Sequence, residues 1–389
     1  MKTIMHIGIS SFVITCLFAC SIGTGPKTKD QLALEEKKRD ITADTSGNLN
    51  VGTYDEGDSK TRIKILSYNV LKYGDECQAP NSELHKELAT IIKYTAPDII
   101  GLVKVGAFKL SSSDDAKGPA AYQDSINSQA LNTAFPGRFA VCPTTNIAQG
   151  NNVNLLFYNK EKFGYSSMKN LCSSETDFDI YKLYDKQLTS KNDTAYLYFI
   201  LNHTKSGDKS EKRDEQAACI KQALKKEFKR LPDLIDMGDF NLRNTEEPGY
   251  HSLVAESDEN QKFFDPPFAL DHKVSYPADW DNEPEKYAPF LTTSTRKKDD
   301  EPNTCGTGGG AKAWFDHILL SKSLTLPNNK MHYVPNSYHT VGNDGHRVGI
   351  SVNQKKEPNS SVPKEVADAL FNFSNKYPVI LELEINQKH

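Results

Sequence analysis

Nine short apolar segments bounded by turn residues recur along the chain, at 62–70, 98–105, 138–142, 153–158, 178–183, 195–202, 234–237, 315–320 and 379–385. Their length and their Val, Ile, Leu, Tyr and Phe content read as strands. Helical periodicity appears between some of them. Ser82 can cap a helix carrying Leu84, Leu88, Ile91 and Ile92. A second helix is expected over 209–231, with Ala218, Ile220, Leu224 and Phe228, and a third over 362–373. Hairpin-like strand succession with a few helices points to an α+β fold of packed, mainly antiparallel sheets with helices outside, not a doubly wound parallel sheet. The low-periodicity stretch 263–313 is expected to be loop-rich and to line a surface or cleft.

The N-terminus reads differently. Met1, Lys2 and His6 precede an apolar run, 7–18, too short to cross a bilayer as a permanent helix. The run ends in Leu17-Phe18-Ala19-Cys20, which resembles a lipobox. The expectation is a signal peptide over 1–19 and acylation of Cys20, with palmitate among its acyl chains. Ser21 rather than Asp follows the cysteine, which in Gram-negative lipoproteins points to the outer membrane. Residues 20–61 are polar and poor in large apolar side chains, so they are expected to form a tether reaching roughly 35 Å. The folded domain is expected over 62–387.

A net charge of −4, from 47 basic and 51 acidic residues, offers no basic excess for phosphate backbones, so nucleic acid is not the expected partner. The expected partners are the membrane, through the lipid, and other envelope proteins. Besides Cys16 and Cys20 the chain has Cys77, Cys142, Cys172, Cys219 and Cys305. In an oxidising compartment these allow two disulfides and one thiol, and the pairing is open at this point. Their spacing lacks the paired pattern of a zinc site.

Five segments, in order, resemble the endonuclease/exonuclease/phosphatase family: Ile65-Leu66-Ser67-Tyr68-Asn69-Val70, Pro97-Asp98-Ile99-Ile100-Gly101-Leu102, Leu201-Asn202-His203, Met237-Gly238-Asp239-Phe240-Asn241 and Phe315-Asp316-His317-Ile318-Leu319. The resemblance implies a four-layer DNase I-like sandwich and Mg²⁺-dependent phosphoester chemistry. In it, Asn69 organises the metal site, His203 contacts the phosphate, Asp239 and Asn241 stand for the GDxN motif, and Asp316 orients a terminal His. The run 152–158 and Asn343-Asp344-Gly345 look especially like lipid-anchored members from Bacteroidetes-type bacteria.

The pattern breaks where the chemistry is done. After Gly101-Leu102 the family places Gln-Glu, and the Glu is the main carboxylate ligand; here stand Val103 and Lys104. An ammonium has no lone pair for Mg²⁺. About 4 Å from the ion, at an effective dielectric near 20, it would repel it by roughly 8 kcal/mol. Neutralising it at pH 7 would cost about 4 to 5 kcal/mol. The family's Ser-Asp-His-x-Pro-Val aligns with Ser374-Asn375-Lys376-Tyr377-Pro378-Val379, so Asn375 and Lys376 replace the Asp and the general base. A protonated lysine cannot take a proton from water. His346, in Gly345-His346-Arg347, competes as the family's His but has no preceding Asp.

These substitutions carry three expectations: Lys104 takes the place of the cation, Lys376 pairs with Asp316, and Asn69, His203, Asp239 and Asn241 persist as a hydrogen-bonded network. No metal is expected, and Mg²⁺ belongs only to the alternative in which the site still works. The function that follows is a non-catalytic binding or scaffold subunit at the cell envelope. The alternatives are a Mg²⁺-dependent phosphodiesterase, nuclease or phosphatase with a rearranged site, and a module binding anions or glycans. The glycine-rich 306–310 reads as a turn, His332 and His339 as solvent-facing or structural, and the Lys/Glu pattern of 209–229 as a solvated helix face.

Overall fold

The computed structural model describes residues 62–386 apart from 76, 112–113, 119–121 and 191–192. The signal segment, Cys20 and the tether lie outside the described residues. In chain order the strands are β1 (Arg62–Tyr73), β2 (Ile99–Gly106), β3 (Phe108–Ser111), β4 (Asp114–Gly118), β5 (Phe139–Val141), β6 (Asn152–Asn159), β7 (Phe163–Ser174), β8 (Thr176–Ser190), β9 (Asp193–His203), β10 (Leu234–Asp239), β11 (Phe263–Phe264), β12 (Asp316–Ser321), β13 (Met331–Tyr333), β14 (His339–Thr340) and β15 (Val379–Ile385). One sheet runs β13-β15-β1-β2-β6-β5, with β14 on β15. The other runs β11-β12-β10-β9-β8-β7, and β3 and β4 form a separate hairpin.

Every pairing is antiparallel except two: β1 with β2, and β9 with β10. A parallel pair cannot be closed by a tight turn and needs a crossover. Helix α1 (Asn81–Thr95) lies in the first connection and α2 (Ser210–Glu227) in the second. A third helix, α3 (Lys364–Phe373), leads into β15. Within each sheet the two parallel strands therefore end at the same edge, and those ends carry Asn69, Lys104, His203 and Asp239.

The sheets pack face to face with helices outside. Gly101 marks the approach: a Cβ there would lie 2.6 Å from both Leu201 Cδ2 and Met237 Cε on the facing sheet. On the other face of β1, Tyr68 meets Phe373 of α3 at 5.4 Å between ring centroids. Burial on both faces is why 63–70 reads as a nearly continuous apolar run.

Three sequence expectations change. α1 begins at Asn81, with Pro80 (φ −52°, ψ 141°) in the cap position and no side-chain cap bond, so Ser82 is a first-turn residue and not the cap. β7 was missed because it is an edge strand with a largely exposed, polar sequence that lacks apolar alternation. The 263–313 stretch is loop-rich, but its 292–296 portion is fully buried against the segment before β15.

Candidate functional site

The cleft is shaped by two irregularities. The β1–β2 ladder breaks between Asn69 and Tyr73, and the β2–β6 ladder between Leu102 and Val105. Leu71, Lys72 and Lys104 take φ of 48°, 58° and 64° there. Such left-handed conformations cost on the order of 1 kcal/mol or more each for residues with a Cβ, and they re-aim side chains off the pleat.

Asp239, at the end of β10, is the hub. Its Oδ2 accepts from Asn69 Nδ2 at 2.7 Å and lies 2.9 Å from Lys376 Nζ. Its Oδ1 accepts from Asn241 N at 3.0 Å. Asn69 Oδ1 accepts from Leu71 N at 2.9 Å, and Asn241 Nδ2 donates to Thr204 O at 2.9 Å. Both members of the ion pair are nearly excluded from solvent, at 7% and 2% side-chain exposure. Lys376 Nζ also lies 4.5 Å from the Phe315 ring centroid.

Lys376 is delivered by the buried 292–296 segment. Tyr377 N donates to Thr292 O and Thr295 N to Asn375 O, which fixes the backbone on both sides of it. Ser374 Oγ donates to Asn69 O at 2.8 Å and accepts from Lys376 N at 3.1 Å, tying this segment to β1. The Asn375 side chain turns elsewhere. Its Nδ2 donates to Thr307 O at 3.1 Å, and its Cγ sits against Gly306 (φ 74°), where a Cβ would come within 2.6 Å. The 306–307 turn is held by the Cys77–Cys305 disulfide.

Asp316 pairs with Asp239 in the β10–β12 register. It is fully buried, with no cation on either carboxylate oxygen among the described residues and the Thr292 hydroxyl beside it. Burial, reinforced by the Asp239 charge, raises its pKa far above the carboxylate range, so it is held as the neutral acid. Burial acts on Asp239 as well, but Lys376, His203 and Lys104 outweigh it and hold that carboxyl low. His203, at the end of β9, makes no side-chain hydrogen bond among the described residues. Burial and the two lysines lower its pKa to about 4, so it is neutral at pH 7.

Lys104 is partly exposed, and its ammonium makes no ion pair or hydrogen bond among the described residues. Burial comes first and the Lys376 charge second in lowering its pKa to about 8, with Lys72 adding to the effect. Its backbone N donates to Asn154 Oδ1 at 3.3 Å.

The expected pairing is thus corrected. Lys376 pairs with Asp239, not Asp316, and it is Lys376 rather than Lys104 whose ammonium shares Asp239 Oδ2 with the Asn69 amide. The segment before β15 delivers the Lys376 ammonium to Asp239 Oδ2, through the backbone bonds of Thr295 and Tyr377 to Asn375 and Thr292. The expected network contains Asn69, Asp239 and Asn241 but not the His203 ring. His346 is exposed, outside this network. Sequence reasoning missed Lys72 and Asn154, whose roles depend on bulges that leave no pattern; a charged residue inside the apolar β1 run was the available signal for Lys72.

The cysteines resolve into Cys77–Cys305, Cys172–Cys219 and a buried Cys142 thiol. Behind β12, His317 is fully buried. Its Nδ1 lies 3.0 Å from Asp265 Oδ2 and its Nε2 3.2 Å from Trp314 O. Tyr250 OH donates to the same Asp265 oxygen at 2.9 Å.

No protein-family model and no curated protein matches the chain. Solved structures do. The human Nocturnin catalytic domain with bound sulfate is 16% identical over 84% of this chain and 95% of its own, with a TM-score of 0.49. An endonuclease/exonuclease/phosphatase family protein from Bacteroides thetaiotaomicron is 16% identical over 85% and 97%, at 0.48. A mannosyl-6-phosphatase from the same organism is 16% identical over 82% and 99%, at 0.47. These likenesses are of chain path, and no residue role is carried from them.

Proposed function

We propose that this chain is a lipid-anchored protein of the cell envelope, held through Cys20 at the outer membrane, whose sandwich domain is a binding or scaffold subunit and not a metal-dependent phosphoesterase. The observation that carries this reading is the Lys376–Asp239 ion pair. A lysine ammonium occupies the same carboxylate oxygen that the Asn69 amide donates to, where the resemblance would place a cation.

The donors left for Mg²⁺ do not fit it. Asn69 Oδ1 is engaged by Leu71 N, Asp239 Oδ2 by Asn69 and Lys376, and position 104 offers an ammonium. No group of three His, Cys, Asp or Glu side chains among the described residues is placed to hold a metal ion. The residue aligned with the family's general base, Lys376, is engaged by Asp239 and not free to take a proton from water.

A second reading, an anion-binding cleft, is favoured by one observation: Lys104 has no compensating carboxylate of its own, since Asp239 is engaged by Lys376 and Asp316 is neutral.

The test is hydrolysis of a generic phosphodiester and of nucleic acid by the purified full-length protein across Mg²⁺, Mn²⁺ and Ca²⁺. The expected result is no turnover above that of Asp239→Ala. Turnover in the wild type that Asp239→Ala abolishes would replace this reading with the enzyme.

A further inference from the structure

We infer that the groove between α1 and the facing helical segment 126–134 is a binding site for a sugar-sized anion carrying a phosphate or sulfate ester. The groove shares no residue with the cleft between the sheets, so its occupancy is independent of what the cleft does. Its volume, about 430 Å³, is within the range of small-molecule sites and larger than a bare inorganic anion needs.

Ser82, Lys86, Thr90 and Lys93 form one wall, Gln129 and Thr133 belong to the other, and His85 and two alanines complete the lining. The first four recur every three or four residues and so share one face of α1. No Asp or Glu lines the groove, and neither lysine forms an ion pair among the described residues. Glu87, on the same helix, accepts instead from Asn372 Nδ2 of α3 at 3.3 Å. The charge facing a ligand is therefore positive. Thr90 and Thr133 spend their hydroxyl protons on Lys86 O and Ser128 O, at 3.1 and 3.4 Å, which leaves their oxygens to accept from a ligand. Ammonium groups for an ester and hydroxyl acceptors for a polyol are the complement of a sugar ester.

His85 is the one buried residue of the lining, at 6% exposure, and its ring centroid lies 5.8 Å from that of Tyr73 on β1. The Gln129 side chain is the one polar group set against the ring, so at least one of its two nitrogens has no hydrogen bond among the described residues. Burial lowers its pKa, and a neutral imidazole has both an N–H to give and a lone pair to fill. A ligand hydroxyl entering beside Gln129 would meet that demand, which is costly to leave unmet. The wall that carries Gln129 is irregular as well. Ile126–Leu131 is a π-helical turn, with Asn132 N bonded to Asn127 O five residues back. Such turns are rare and are frequent at functional sites.

Calorimetric titration of glucose 6-phosphate, glucose 6-sulfate, glucose and inorganic phosphate into the full-length protein, with EDTA present to exclude metal bridging, tests the site. At least one ester is expected to bind saturably, about tenfold or more tighter than glucose or inorganic phosphate. Lys86→Met combined with Lys93→Met should raise that Kd at least about tenfold, and Lys226→Met, on exposed α2 surface, should leave it unchanged. In protein labelled at histidine, the ester should shift one imidazole resonance that is missing from His85→Gln. Inorganic phosphate binding as tightly as the esters overturns the sugar requirement. Absence of binding by both esters, an unchanged Kd in the double lysine variant, or no shift at His85 overturns the site. Loss of binding in Lys104→Met alone also overturns it, because the anion would then sit in the cleft. Both groove lysines are exposed, so the double variant decides even if His85→Gln fails to fold.

Discussion

Asp316 and His317 are neighbours on β12, both fully buried, and they face opposite ways. His317 lies among Trp314, Phe240, Trp280 and Tyr250, with a partner for each ring nitrogen. Asp316 faces the cleft and makes no ion pair among the described residues, with only the Thr292 hydroxyl set against it. One side of the strand is polar chemistry absorbed into a core; only Asp265 Oδ1 is left over there. The other is polar chemistry facing the cleft, where a second carboxylate, Asp239, holds the Lys376 ammonium. An unpartnered buried polar group costs several kcal/mol when charged, which is why Asp316 stays protonated.

Three substitutions sharpen or break this contrast. The largest effect is expected on the cleft side. Lys376→Met leaves Asp239 as an uncompensated buried charge and should cost about 3 to 5 kcal/mol in urea unfolding. Adding Asp239→Asn should return most of that loss, and an unchanged midpoint in the single variant would mean the ion pair is not formed. On the aromatic side, His317→Ala should cost about 2 to 4 kcal/mol, from a cavity and two lost hydrogen bonds. A loss below about 1 kcal/mol would remove the distinction between the two faces.

The third effect is a slope. The folded-state pKa of Asp316 lies above its unfolded value, so the folded protein holds the extra proton. The resulting stability is complete below about pH 4 and is lost as pH rises toward about 8. Asp316→Asn should remove a decline of up to about 1.4 kcal/mol per pH unit across that window, read from unfolding at successive pH values. Parallel curves for variant and wild type would show that Asp316 is ionised in the folded state.

Much of the architecture was legible because burial on both faces writes itself into sequence. The apolar runs 62–70, 234–237 and 315–320 locate β1, β10 and β12, and Lys104, Asn375 and Lys376 stand out in the sequence against the family it resembles. The partner of Lys376 was not legible. Choosing between Asp239 and Asp316, paired across the β10–β12 ladder, depends on where the backbone bonds of 292–296 set the segment before β15, not on spacing. The bulges that turn Lys72 and Lys104 toward the cleft are equally silent, since neither uses the glycine that would have announced a positive φ. β7 was missed because an exposed edge strand has no core-facing pattern to read.

The cation held by Asp239 in this cleft is the Lys376 ammonium. Calorimetric titration of Mg²⁺ and Mn²⁺ into the full-length protein tests it most directly, with the Lys104→Glu, Asn375→Asp, Lys376→His triple variant alongside. The wild type should show no saturable binding at millimolar metal, and the triple variant should acquire it. Saturable Mg²⁺ binding by the wild type that disappears in Asp239→Ala would contradict the account.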